Sequence, residues 1–440
     1  MRKRALEAIK KLEDAGFEAY MVGGSVRDEF LGETPLDYDL TTSAHPEEIQ
    51  EVFQEEKTLD VGKKYGTISL VYPEGNLEVT TFRRDGDYQD FRHPDQVDFT
   101  ESLKEDLNRR DFTINAMAMD REGKIYDYFG GREDLEAGFL QTVGPAQDRI
   151  QEDGLRILRA FRMASRFHLD LDLGLREAIE DHRDLLKKIS KDRIREEFFK
   201  LLLTEDPAYG LYLMEETGVL KVLFPSLFQT VGFDQKNPFH SQALFDHLLC
   251  VLNQTPEDLI LRLAALFHDI AKPQTLIKTE DGRYHFYGHD KEGAALVGEI
   301  LQDLRASKDL TKRVQALVEN HMSVQREMTD KALRRQIRRL GREDVLRLYD
   351  LLWADAFCTG GLRASRMIAE RKHRVEALLE EPIFQKKNFL AINGKDLMAI
   401  GFQEGRALGE TLKACEAYVL DHPERNQKNL LLNYAKKMKN

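Results

Sequence analysis

The chain has only three cysteines among its 440 residues, Cys250, Cys358 and Cys415. They lie far apart and form no CxxC pair, so neither a disulfide framework nor a cysteine zinc site is expected. A reducing, cytoplasmic compartment suits such a chain. Long apolar runs are missing as well: no stretch approaches the roughly 18–20 residues that cross a bilayer, so no membrane partner is expected. The N-terminal MRKRALEAIKKLEDAG starts basic but never turns continuously apolar, and reads as an amphipathic helix rather than a secretion signal. Excess positive charge is also absent. The formal net charge of −12 argues against a nucleic-acid partner at the level of the whole surface. Local patches matter more than the total, and basic ones occur at Arg109-Arg110, from Arg156 to Arg166, and in KALRRQIRRLGRED. Internal repeats and low-complexity tracts are lacking.

What is present is a long, charged chain, with 32% charged and 42% hydrophobic residues, enough for roughly two to four domains. Residues 2–15 read as a helix with Leu6, Ile9 and Leu12 on one face and Gly16 as its stop. EAYMVG reads as a strand ending at Gly23-Gly24, SVRDEFLG as a short helix, LDYDL as a strand, and GTISLVY and NLEVTTF as two strands around a PEG turn. Residues 1–147 thus read as an α/β domain, with a mixed sheet expected. Beyond them strand signals nearly vanish, and an α+β fold with all-helical segments at 148–228, 229–380 and 381–440 is expected.

The chemistry concentrates in the head. Asp37 and Asp39 sit two apart on an expected strand, so both carboxylates face one way. Paired carboxylates suit Mg²⁺, a hard ion that shares oxygen ligands with substrate phosphates. Glu78 is the candidate third carboxylate. Gly23 and Gly24 allow close backbone approach, the helix they open can receive a triphosphate, and Arg27 one turn later can add charge. Alone, a DxD is a surface turn and GG a bend; their conjunction within 17 residues favours phosphate chemistry.

VGGSVRDEFLG followed by DYDLTT resembles the head motif of the class II tRNA nucleotidyltransferase and poly(A) polymerase family. RRDFTINAMAMD, YDYFGGREDLEAG, EDGLRILRAFRMASRF and DRIREEFFKLL resemble that family's next motifs, in its order, over about the first 225 residues. AINGKDLMAIGF in the tail is similar to the end of the CCA-adding enzymes of Gram-positive bacteria. The resemblance implies a nucleotidyltransferase head, a nucleotide-selecting neck, a body and a tRNA-binding tail. It implies addition of C, C and A to tRNA from CTP and ATP with no template. Carried over, Asp37 and Asp39 would hold Mg²⁺, Gly24 and Arg27 would contact the nucleotide, and Arg110, Asp153, Arg156, Arg159 and Arg162 would complete its site.

Read as one helix, EDGLRILRAFR places Asp153 and Arg156 on one face. Asp accepts and Arg donates, which suits the amino group and ring acceptors of cytosine or adenine; uracil and guanine would oppose a carbonyl to Asp153. Arg159 and Arg162 fan around the helix, towards phosphate or sugar or into ion pairs with nearby acids. Residues 82–99 read as an irregular loop, similar to one that CCA-adding and A-adding members possess.

HSQALFDHLLCVL, LRLAALFHDIAKP, FYGHDKEG and VENHM resemble an HD domain. The resemblance makes His247, His268, Asp269 and Asp355 metal ligands, with His289 and His321 extending the site. Imidazole with carboxylate suits Mn²⁺, Fe²⁺, Ni²⁺ or Zn²⁺. Arg334, Arg338 and Arg342 fall at i, i+4, i+8, either as a stripe for tRNA phosphates or as a solvated face paired with acids. CCA addition is the leading expectation, with A addition, poly(A) synthesis and HD-type phosphohydrolysis as alternatives. Oligomeric state is not legible.

Overall fold

The structure, a computed structural model, describes residues 1–60, 62–85, 97–236, 243–280, 283–323, 328–360, 362–386 and 388–438. The chain divides into two compact units, Met1–Pro225 and Ser226–Asn440.

The first unit is built on a mixed seven-stranded sheet. Its strands are β1 (Ala19–Val22), β2 (Asp39–Thr42), β3 (Thr58–Leu59), β4 (Thr67–Tyr72), β5 (Gly75–Thr81), β8 (Met117–Met119) and β9 (Ile125–Asp127), with β6 (Arg83–Asp85) and β7 (Val97–Phe99) forming a separate antiparallel ribbon. The order across the sheet is β3-β4-β5-β2-β1-β8-β9. β1 runs antiparallel to β2 and β8, while β2 runs parallel to β5. The Arg2–Asp14 helix buries Ala5, Ala8, Ile9 and Leu12 against the sheet's core, which includes Met21, Leu40, Ile68 and Val79. Gly16 ends that helix at φ 91°, a conformation that costs glycine least.

Three expectations are corrected here. Asp37 does not lie in a strand, because β2 starts at Asp39. EDGLRILRAFR is not one helix: Ala146–Glu152 stops, Asp153 is extended at φ −144°, and a new helix runs Arg156–Phe167. Gly154 follows, and the Asp153 carboxylate accepts the Leu155 N–H at 3.0 Å, an Asx turn that competes with the helical bond. The segment 82–99 is not irregular at its ends, which pair as β6 and β7; residues 86–96 lie outside the described residues, as do 237–242 at the expected boundary.

The second unit is mainly helical, with one two-stranded pairing, Ile277–Lys278 with Tyr284–His285, in a region expected to be all-helical. Its last portion has an apolar cluster of its own, including Ile383, Leu397, Val419 and Leu431. The absence of disulfides is also overturned. The Leu244–Asn253 and Arg342–Cys358 helices pack together, and Cys250 bonds Cys358 with their Cα atoms 5.9 Å apart. A separation of 108 residues carries no local signal of that contact. Cys415 is buried and unbonded. Among the described residues no helix is long and apolar enough to cross a membrane.

Candidate active site and a histidine–aspartate cluster

Register builds the head site. Val22, last in β1, pairs with Asp39, first in β2, so the glycine turn and the carboxylate leave the sheet together. Asp39 also pairs with Glu78 of β5, and paired residues of neighbouring strands share a face. Burial alternates around Asp37, Tyr38 and Asp39, with only Tyr38 buried, which keeps both acids on the open side despite the missing strand at Asp37. Partial desolvation raises the Asp39 pKa, Arg110 opposes it, and Asp37 adds to it. Glu78 is raised by burial and then by Asp39 and Asp37. Three mutually repelling oxygen donors of this kind fit a divalent cation, which relieves each repulsion.

Gly23 has φ 73° and ψ −133°, and its N–H donates to Met117 O at 3.1 Å. A Cβ there would lie 2.8 Å from Arg110 Nη1. Gly23 therefore serves by its conformation, its amide being spent in the sheet, while Gly24 opens the Gly24–Phe30 helix. Arg27 does not reach outward. Its guanidinium is buried, donates to Asp28 at 2.7 and 2.9 Å and to Asn115, and stacks 4.4 Å over Phe167. It lies 3.3 Å from where a Gly24 Cβ would be, so it buttresses the turn from beneath.

The neck arginines are paired with acids. Arg156 donates to Glu152 and, at 2.8 Å, to Arg149 O. Arg159 donates to Asp111 at 2.5 and 2.8 Å, and Arg162 to Glu197 at 2.7 Å. Asp153 does not meet the Arg156 guanidinium; it accepts from Arg193 at 2.6 Å. Burial works against the Asp111 charge, but Arg159 and Asn115 outweigh it and hold the carboxyl well below the usual range. Sequence reasoning missed Asp111, Asn115, Arg193 and Glu197 as parts of this network. The four-residue spacing of Asp111 and Asn115, whose side chains bond at 3.1 Å, was the available signal.

In the second unit the six expected metal-binding residues converge. Two groups, His247 with His268 and Asp355, and Asp269 with His289 and His321, each bring their ligand atoms within 4.8 Å of one another. His247 Nε2 lies 3.2 Å from Asp355 Oδ1 and His268 Nε2 3.3 Å from Asp269 Oδ2. The other Asp269 oxygen lies 3.2 Å from His289 Nε2 and 3.3 Å from His321 Nε2. Nδ1 of His268, His289 and His321 donates to the carbonyl three residues back, Ala265, Phe286 and Val318, at 2.8, 2.6 and 2.6 Å. That tautomer leaves each Nε2 an acceptor aimed inward, as in metal-ligating imidazoles. His289 and His321 then bring two Nε2 lone pairs within 3.2 Å, a repulsion that a cation between them removes. Burial opposes ionisation of Asp269, yet Lys272 at 2.6 Å and His268 hold it well below the carboxylate range. Asp355 is lowered to about 2, burial opposing and the His247 bond prevailing. Burial lowers the His268 pKa, but Asp269 and Asp355 raise it overall.

The basic stripe has a different fate. Arg334 donates to Glu381 twice at 2.7 Å, Arg338 to Glu416, and Arg342 to Glu380 at 2.7 Å. These three pair with acids of their own unit, with Arg338 and Arg342 about half exposed.

Carboxylates in register beside a glycine turn define a nucleotidyltransferase head, and the comparisons agree. Residues 19–141 match the model of the "Poly A polymerase head domain", 168–230 that of the "Probable RNA and SrmB- binding site of polymerase A", and 291–435 that of tRNA nucleotidyltransferase domain 2. The CCA-adding enzyme of Enterococcus faecalis is 34% identical over 439 residues, 99% of this chain and 96% of its own. That of Lactobacillus delbrueckii subsp. bulgaricus is 44% identical over 262 residues, 58% of this chain and 65% of its own, so the match spans just under two-thirds of that relative. The crystal structure of the Bacillus stearothermophilus CCA-adding enzyme in complex with CTP superposes with a TM-score of 0.74 at 28% identity, covering 99% of this chain and 97% of that one. The chain belongs to the CCA-adding enzyme family.

Proposed function

We infer that this chain adds C, C and A to the 3′ end of tRNA from CTP and ATP, releasing pyrophosphate, with no nucleic-acid template. The observation that carries the reading is the register of Asp39 with Val22 and Glu78, which sets two carboxylates beside the glycine turn, with Asp37 two residues before, in a chain related along almost its whole length to CCA-adding enzymes. Asp37 and Asp39 would hold Mg²⁺, with Glu78 beside them; the bound ion supplies charge stabilisation at the phosphates and a more acidic 3′-hydroxyl. The first amides of the Gly24–Phe30 helix receive the triphosphate. Arg110, whose charge burial opposes and Asp106 and Asp39 support, keeps a positive charge against that site. A soluble cytoplasmic setting suits a tRNA substrate.

Asp153 and Arg156 select the base. Their protein partners are Arg193 and Glu152, so base recognition is an exchange of hydrogen bonds and not a gain of new ones. An amino group presented to Asp153 replaces the Arg193 donor, whereas a carbonyl there leaves buried acceptors facing each other. Arg159 and Arg162 position this helix through Asp111 and Glu197.

One assay tests the reading: tRNA ending at the discriminator base is given CTP, ATP or both. Addition of CCA with both nucleotides is expected. Incorporation only onto tRNA already ending in CC would make the chain an A-adding enzyme, and long A tails on generic RNA a poly(A) polymerase. Incorporation that survives D37A/D39A would remove the catalytic assignment.

A second reading concerns the other unit. The inward-facing Nε2 atoms around Asp269 favour an HD-type site for Mn²⁺, Fe²⁺, Ni²⁺ or Zn²⁺ acting on phosphoesters. Stoichiometric metal retained by wild type and lost in H268A, with ring opening of a 2′,3′-cyclic nucleotide to its monophosphate lost alongside, is expected. Wild-type protein that retains no transition metal would end this reading.

A further inference from the structure

Cys250 lies three residues after His247 on the Leu244–Asn253 helix, and Cys358 three residues after Asp355 on the Arg342–Cys358 helix. The His247–Asp355 contact at 3.2 Å and the Cys250–Cys358 disulfide are therefore two successive rungs, one turn apart, between the same two helices. We propose that this cysteine pair is a thiol–disulfide switch that sets the metal affinity of the histidine–aspartate cluster by holding Asp355 against His247; the proposal rests on the reading of that cluster as a metal site.

The asymmetry of the ligands supports it. The His247, His268 and Asp269 side chains are 2%, 1% and 5% exposed, whereas that of Asp355 is 30% exposed. Asp355 sits in the last turn of its helix, one turn before Cys358. Its helix stops at Cys358 and Gly360 follows at φ 85°; Asp355 O accepts the Thr359 N–H at 3.0 Å and Phe357 O the Gly360 N–H at 3.1 Å. The Thr359 hydroxyl also donates to Asp355 O at 2.8 Å, and the disulfide is a covalent tie from that final turn to the Leu244–Asn253 helix. Neither cysteine is fully buried. The chemistry balances. Cys250 and Cys358 thiols lose two protons and two electrons to oxidised glutathione, which leaves as two reduced thiols, and the reverse exchange opens the bridge. Once it opens, the final turn keeps its hydrogen bonds but loses its covalent tie to the His247 helix, and the spacing of Asp355 from His247 is free to widen. Removing an outer-shell restraint of this sort weakens metal sites on the order of 10–100-fold.

The test uses full-length protein carrying D37A/D39A, so that Mn²⁺ binding is read at this cluster alone. Free Mn²⁺ is followed by electron paramagnetic resonance for oxidised protein, for phosphine-reduced protein and for C250S/C358S. Thiols are counted after denaturation, one expected when oxidised (Cys415) and three when reduced. The Mn²⁺ dissociation constant should rise about tenfold on reduction and in C250S/C358S alike. Equal affinity in all three overturns the switch while leaving the metal site standing. Three thiols in the oxidised sample also overturn it. No Mn²⁺ uptake in any thiol state removes the metal reading, and the switch with it. In the otherwise native chain, C250S/C358S should leave nucleotide incorporation unchanged.

Discussion

Asp111→Asn is a one-atom change at the centre of the network beneath the active site. Asp111 Oδ2 takes both Arg159 bonds, at 2.8 and 2.5 Å, while Oδ1 takes the Phe112 N–H at 2.8 Å and the Asn115 amide at 3.1 Å. Asparagine keeps one acceptor for the second pair and turns an NH₂ on the guanidinium. Two charge-assisted bonds are lost and donors face each other. Hydrogen bonds to charged groups contribute roughly 1.5–3 kcal/mol each. The Arg159 side chain is 35% exposed, so water recovers part of that. A loss of about 2–4 kcal/mol in the stability of the first unit is expected. The pH dependence has a fixed sign. The folded-state pKa of Asp111 is depressed, so its contribution is whole above the unfolded value of about 3.9 and is gone once the pH falls through the folded value. The deficit of D111N should stay constant from pH 5 to 8 and shrink below pH 4. Hydrogen exchange in urea, followed on peptides spanning 105–120, reads this unit apart from the other. Asn115 passes the effect to Arg27, so incorporation should fall along with stability. A deficit under 1 kcal/mol, or one that grows on acidification, would refute the reasoning.

Gly23→Ala places a Cβ 2.8 Å from Arg110 Nη1 at a backbone φ of 73° that costs an L-residue about 1–3 kcal/mol; incorporation should fall by at least an order of magnitude, and unchanged kinetics would deny the turn its role. Asp39 and Glu78 both have raised pKa values, so Mg²⁺ retention should weaken on acidification at a pH above the ordinary 3.8 of aspartate; calorimetric titration from pH 3.5 to 7 checks this, and a midpoint at or below that value counts against it. Because Arg338 is bound to Glu416, R338A should leave the slope of log K for tRNA against log salt unchanged, and a slope smaller by about one would restore it as a phosphate contact. Arg334→Ala breaks a bidentate pair with Glu381 and should lower stability by about 1 kcal/mol, measured by urea unfolding of the second unit.

Much of the site was legible along the chain, because its logic is local. Asp37 and Asp39 share a face by the spacing of an extended chain, and burial of Tyr38 between them preserves that even outside the strand. Gly23 and Gly24 announce a turn, since few other residues tolerate its dihedrals. The histidines and aspartates of the second unit were named through the resemblance of their segments to an HD domain. What stayed hidden was partner choice over long separations. Arg27 read as a phosphate ligand until Asn115 occupied it, while for Arg159 and for Arg334, Arg338 and Arg342 phosphate contact and pairing with acids both stood open until Asp111, Glu381, Glu416 and Glu380 stood opposite. A helix pattern tells which face is charged, but not whether acids stand opposite. The break at Asp153 fell inside a stretch that read as one helix, where one side-chain bond to Leu155 N outweighed the periodicity. Cys250 and Cys358, 108 residues apart, met only because two helices packed, and no local propensity encodes such a contact. The sequence by itself determined which groups could do chemistry and in what local order; the tertiary structure decided which are spent on one another, because pairing depends on distances that only packing sets.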